Sequence, residues 1–258
     1  MIIDFHTHVF PDGIAQKASD SIGRFYDIPT QFDGTLQTLL RIGGAAGLDR
    51  YIVHSVATTP GQTSSINGFI AGLCREHPNV SGFATIHPDQ PDMAGEIEKA
   101  LSLGLKGVKI HSDMQKVSLD DPRMYPLYEL IQGKVPLLAH TGDNRFDYSN
   151  PDRLLRVLND FPRLTVIGAH FGGWSIWREA LDALKDREIY VDCSSSFYAL
   201  TPEESLKLIR GYGAHRVLFG SDYPMWDPGA ELQYLFKLGL TASEMDMILH
   251  ENAERLLD

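Results

Sequence analysis

Cysteine is scarce in this chain, with only Cys74 and Cys193 among 258 residues. Two cysteines build no disulfide framework, so the fold must rest on a buried apolar core, and a reducing cytoplasmic setting is expected. Basic residues are in the minority, 23 Lys and Arg against 34 Asp and Glu, for a net charge of −11. That balance offers no electrostatic footprint for a polyanion and argues against nucleic acid or an anionic membrane surface as partner. No apolar run is long enough to span a bilayer. No basic, signal-like segment precedes the first apolar stretch, so no targeting segment is expected. Low-complexity tracts, solenoid-spaced repeats and linkers are missing as well, which predicts one domain over residues 1–258.

What the chain does contain is a regular alternation of short apolar runs and amphipathic stretches. Hydrophobic residues make up 43% and charged residues 22%, as in ordinary globular domains. Eight runs read as strands: residues 1–8, 50–57, 80–87, 105–111, 135–140, 164–170, 188–192 and 216–222. Helical patterns lie between them at 33–47, 63–77, 91–103, 122–133, 151–159, 175–185 and 202–210, and two more, 227–237 and 241–257, close the chain. Near-continuous apolar strands suit a parallel sheet covered on both faces. Eight strand–helix units in about 250 residues predict an α/β fold, a (β/α)8 TIM barrel, with an extra C-terminal helix packed on its outside. The polar stretch from Phe10 to Asp33 is too long for an ordinary connection and reads as a flap over the end of the first strand.

In such barrels the active site lies at the C-terminal ends of the strands. Here those ends carry His6 and His8, Lys109 and His111, His140, His170, Asp192 and Asp222. His6 and His8 are two residues apart on one strand and so share a face. Imidazoles and carboxylates that converge from distant segments suit a divalent metal, Zn²⁺ foremost, with Mn²⁺, Fe²⁺ or Co²⁺ as competitors. We assign His6, His8 and His140, with Asp222 close by, as ligands of one ion; two ions are the alternative. A catalytic ion keeps a position for water, and His170 and Asp222 are the candidate proton-transfer groups. His170 as a further ligand is the competing role. Lys109 faces either the interior, neutralised, paired or carbamylated as a bridging ligand, or the gap between helices. His111 lines the pocket or hydrogen-bonds within its loop, and Asp192 holds an imidazole in its tautomer from behind. Arg145 can grip a substrate carboxylate, while Trp226 and Tyr198 (with Phe197) can form pocket walls. Cys193 has no evident base and is expected to be inert.

Asp4-Phe5-His6-Thr7-His8, His140, Ala169-His170-Phe171-Gly172-Gly173 and Phe219-Gly220-Ser221-Asp222-Tyr223-Pro224 together resemble the amidohydrolase superfamily, in its amidohydrolase-2, or amidohydrolase-related, branch. The likeness runs to the ending Glu251-Asn252-Ala253-Glu254-Arg255-Leu256-Leu257. It implies a distorted TIM barrel with a divalent metal. By similarity to aminocarboxymuconate semialdehyde decarboxylase, it implies one zinc on His6, His8, His140 and Asp222 with His170 as acid/base. The branch holds non-oxidative decarboxylases of unsaturated or aromatic acids, lactonases and other hydrolases. This chain is shorter than those decarboxylases, with less loop material for an aromatic-acid pocket. The leading expectation is therefore a metal-dependent hydrolase of a small carbonyl, lactone or ester-like substrate, with decarboxylation as the alternative. A TatD-type nuclease and a non-catalytic metal- or sugar-binding barrel stand further behind. Nothing in the sequence specifies a homo-oligomer or excludes one.

Overall fold

Strand and helix alternate around a closed circuit in the computed structural model, which describes residues 1–257. The strands are β1 (Ile3–His8), β2 (Arg50–His54), β3 (Val80–Gly82), β4 (Ala84–Thr85), β5 (Val108–Ile110), β6 (Leu137–Ala139), β7 (Val166–Gly168), β8 (Tyr190–Asp192) and β9 (Val217–Leu218). All pair in parallel, β1-β2-β3 in one sheet and β4 to β9 in another. The expected third strand is split at Phe83, whose N–H bonds Val53 O while the next residue, Ala84, bonds Gly107 O. Here one strand hands over from the first sheet to the second. At the other seam, Phe5 N donates to Phe219 O (2.8 Å), Asp222 N to His6 O (2.8 Å) and His8 N to Tyr223 O (2.7 Å). These bonds, rather than a regular ladder, close the (β/α)8 barrel.

Side-chain parity divides the strands into two faces. Outward residues such as Val53, Val108, Ile110, Leu137, Val166, Val191 and Val217 join the large core beneath the helices. Inward residues Ile3, Phe5, Ile52, Phe83, Leu138, Ile167 and Leu218 fill the barrel itself. One step further up, the same inward parity brings His54 after Ile52, His140 after Leu138 and Asp192 after Tyr190. β1 reaches this layer by a different route. Its pairing with β2 slips between Asp4 and Thr7, and this bulge lets neighbouring Phe5 and His6 both face inward. Gly220 opposite is small for a reason: a Cβ there would lie 2.8 Å from that of His6.

Two expectations are corrected. The C-terminal segment does not pack on the outside. Its last helix, Asn252–Leu257, sends Ala253 and Leu257 into the cluster inside the barrel and so plugs the N-terminal mouth. Asn252 fastens it there, donating to Ala214 O (2.8 Å) and Val217 O (2.7 Å). The stretch after β1 does lie over the strand end, but as helix α1 (Ala15–Tyr26) rather than as a long loop. Ser19 is fully buried and donates to Phe32 O (2.6 Å), while Ala18, Ile22, Phe25 and Tyr26 look onto the strand ends. Its apolar spacing was hidden among polar residues with a mean hydropathy near the middle of the scale.

Glu231, buried on the helix Pro228–Phe236, has Oε2 without a hydrogen-bond partner among the described residues. Burial, reinforced by Asp4, Asp222 and Asp227, pushes its carboxyl from 4.5 up to about 8. The folded state then holds a proton that the unfolded chain has released, so stability falls as pH rises through this window. Glu231→Gln is expected to remove a slope of up to about 1.4 kcal/mol per pH unit. Urea titrations at pH 5 and pH 8 check this: the variant should gain on the native protein at pH 8, and an equal offset at both values would contradict it.

Candidate metal centre

Asp192, at the end of β8, organises the mouth of the barrel. Its Oδ2 lies 2.8 Å from His6 Nδ1, and its Oδ1 accepts from the backbone N–H groups of His170 and Ser194 (3.1 Å each) and from Ser194 Oγ. Burial by itself raises a carboxyl pKa, but the imidazoles of His6 and His170 and these donors outweigh it and hold Asp192 well below the usual range. An ionised carboxylate only accepts, so His6 carries its proton on Nδ1 and presents a bare lone pair on Nε2. Burial, with Lys109 nearby, pushes His6 down to about 4, so the ring is neutral.

Around that lone pair stand His8 Nε2 at 3.2 Å and Asp222 Oδ1 at 3.4 Å, and the latter two are 3.3 Å apart. Ligand bonds of about 2.0–2.2 Å in a tetrahedron give edges of roughly 3.3–3.6 Å, which this triangle nearly matches. Asp222, with left-handed backbone (φ 61°), also accepts from Ser195 Oγ. Despite burial, its neighbours His6 and His8 keep it ionised. His140 stands one ring further on. His170 Nδ1 donates to Ser194 O (3.0 Å), and its Nε2 lies 3.0 Å from His140 Nδ1. His140 Nε2 is buried and without a hydrogen-bond partner among the described residues. The unprotonated Nε2 of His6, the Nε2 of His8 and the Asp222 carboxylate thus fit a divalent cation.

The remaining predicted residues divide. Lys109 points inward, not between helices. It is fully buried, 3.3 Å from His6 Nε2, and burial lowers it to about 8. His111 caps the short turn Ser112–Gln115, accepting from Met114 N at Nδ1 (3.3 Å), and its Nε2 donates to Tyr26 Oη (2.7 Å). Arg145 is not free to grip a substrate acid. Asp143 takes its Nε and one terminal nitrogen, Phe25 O takes the other, and the rings of Phe25, Tyr26, Phe146 and Trp174 surround it at 5.0–5.2 Å. It latches α1 over the mouth instead. Trp226 donates to Ser195 Oγ (2.7 Å) and stacks on half-exposed Tyr198, which places it beside Asp222. Cys193 is buried, with its thiol pushed well up by desolvation.

Sequence reasoning passed over His54, Asp113, Tyr26, Ser194 and Ser195. His54 lies inside the apolar run 50–57, and only the structure shows that the strand Arg50–His54 ends on it. Asp113, pushed up to about 7 by burial, sits 3.6 Å from His140 Nε2 and accepts from Ser149. It and Tyr26 reach the site through turns that show no periodicity. The whole opens into a cavity of about 550 Å³ with His6, His8, Lys109, His140, His170 and Asp222 at its polar end and Phe10, Ile22, Phe25, Ile66, Phe69 and Met225 among its walls.

Replacing Asp192 by Asn leaves an acceptor oxygen for the donors of His170 and Ser194 and turns an NH₂ donor toward His6 Nδ1, which no longer favours the proton there. The expected result is divalent-metal affinity weakened by about 10–100-fold in a protein of native circular dichroism, measured by calorimetric titration with Mn²⁺ and Zn²⁺. Unchanged affinity would contradict the tautomer argument.

Over residues 3–258 the sequence matches the family described as amidohydrolase. Among curated proteins, none matches. Several solved structures share the fold. An uncharacterised TIM-barrel protein from Bordetella bronchiseptica is 23% identical with a TM-score of 0.81, covering 99% of this chain and 98% of its own. A 2,6-dihydroxybenzoate decarboxylase complexed with 2,6-dihydroxybenzoate is 17% identical (TM-score 0.77, 99% and 98%). The 5-carboxyvanillate decarboxylase of Sphingomonas paucimobilis is 18% identical (TM-score 0.76, 99% and 98%). These likenesses establish the barrel. The match along nearly the whole sequence establishes more: this chain belongs to the amidohydrolase family.

Proposed function

We propose that the protein is a divalent-metal-dependent, non-oxidative decarboxylase of a small unsaturated or aromatic carboxylic acid. The observation that carries this is the cavity, a polar end of imidazoles and one carboxylate beneath apolar and aromatic walls, which suits a flat acid with its charged end inward. The chain does not lack an aromatic wall, because α1, latched by Arg145, supplies Phe25 and Tyr26. Solved relatives support the reading, since four are decarboxylases of aromatic acids, two of them solved with manganese bound. Manganese therefore stands beside zinc as the candidate ion, one per chain.

His6, His8 and Asp222 would hold the ion, with His140 Nε2 as the further donor. When bound, the ion supplies positive charge that orients the substrate and stabilises negative charge developing on it. His170 shares this wall of the cavity, its Nδ1 anchored on Ser194 O. It delivers a proton to the substrate carbon as the bond to the carboxylate breaks; the bonding electron pair stays on that carbon and CO₂ departs. The walls of α1 keep water from that carbon. Hydrolysis of a small lactone, ester or other carbonyl substrate is the second reading, favoured by the family's name, with His170 and Asp222 moving the protons.

Incubating the metal-loaded protein with hydroxybenzoates and short unsaturated acids should release CO₂. Lactone or ester turnover without CO₂ would overturn the first reading in favour of the second. Chelation should abolish turnover and added Mn²⁺ or Zn²⁺ should restore it. His170→Asn should lower kcat by about 10²–10⁴-fold with metal content, read by elemental analysis, unchanged; loss of the metal would make His170 a ligand.

A further inference from the structure

His54 ends β2 two residues beyond the inward-facing Ile52, and in the β1–β2 pairing it stands opposite His8. Paired residues of parallel strands present their side chains to the same face. The side chain is fully buried, yet neither ring nitrogen has a hydrogen-bond partner among the described residues. A buried imidazole with two idle nitrogens is costly and calls for an explanation. Its ring centre lies 4.4 Å from that of His8 and 4.9 Å from that of His6, at interplanar angles of 90° and 68°. One ligand atom on each of the three residues falls within 4.8 Å of the others.

Inclination matters, because an imidazole lone pair lies in the plane of its ring. Mutually inclined rings can aim their lone pairs at one point. His111 and His140, stacked 3.9 Å apart at 8°, cannot, since their lone pairs run side by side. We propose that His54 is a further protein ligand of the ion held by His6, His8 and Asp222. It enlarges the donor set and favours ions that accept more than four donors, such as Mn²⁺, Fe²⁺ and Co²⁺, over Zn²⁺ in a tetrahedral site. This inference rests on the metal-centre reading above. The competing role is packing alone, with the ring edge donating weakly to the face of His8.

Titration of the full-length protein with Mn²⁺ and Co²⁺ separates the two roles. His54→Phe keeps the ring shape and removes both nitrogens. The expected outcome is Mn²⁺ affinity reduced by more than the roughly 10–100-fold that loss of an outer partner costs. Zn²⁺ affinity should fall less, and the visible absorption of bound Co²⁺ should become more intense as the coordination number drops. Should the phenylalanine variant fail to fold, His54→Leu, which likewise carries no donor atom, is read in the same way. Native-like Mn²⁺ affinity together with an unchanged Co²⁺ spectrum would overturn the role of His54 while leaving the metal centre intact. A native protein that binds neither ion would overturn both.

Discussion

A buried carboxylate that must stay ionised sets the terms for the mouth of this barrel. Asp192 has no solvent to stabilise its charge, so four donors from the ends of β1, β7 and β8 and the turn beyond have to meet it. A lone charge in such surroundings would be very costly. Each donor also fixes something else: His6 in one tautomer, His170 in a left-handed backbone (φ 59°), Ser194 beneath both rings. The histidines near the site are neutral where burial is decisive, as for His6, His54, His111 and His140. Neutral rings with directed lone pairs are what a cation needs.

The rest of the barrel makes that arrangement possible by separating polar from apolar layers. Below the imidazoles, Phe5, Ile52, Phe83, Leu138, Ile167 and Leu218 fill the interior, and Leu257 with Ala253 closes the far end. Among the described residues, the cavity opens at the C-terminal side of the strands. The bulge in β1 reconciles two demands on adjacent residues, Phe5 for the apolar layer and His6 for the polar one. Above, α1 forms a roof whose attachment depends on Arg145. A guanidinium with its donors on Asp143 and Phe25 O and its faces on aromatic rings is a structural clasp. It holds Phe25 and Tyr26 in place as an aromatic wall of the cavity.

Much of the fold was legible because burial on both faces of a parallel strand leaves a mark that survives in one dimension. The apolar runs at 50–57, 105–111 and 135–140 mark strands for this reason, and the histidine or lysine near each run's end follows from the same inward parity. The split of 80–87 into β3 and β4 was not visible, since it arises from hydrogen bonds to two different neighbours. Helix α1 was obscured because it packs lightly on a cavity rather than deeply on a core. The position of the last helix was also out of reach, as Ala253 and Leu257 fit the bottom of the barrel and its outside equally well by composition.

From sequence alone came the strand ends, the acidic and disulfide-free character of the chain, and an imidazole–carboxylate set; these depend on local periodicity and residue chemistry. Only the tertiary structure decided which groups meet: the triangle of His6, His8 and Asp222, the buried ring of His54, the inward turn of Lys109 and the diversion of Arg145 to a latch. The reason is geometric. Whether distant side chains share a point depends on barrel closure, strand register and competing hydrogen-bond partners, all of which are long-range properties.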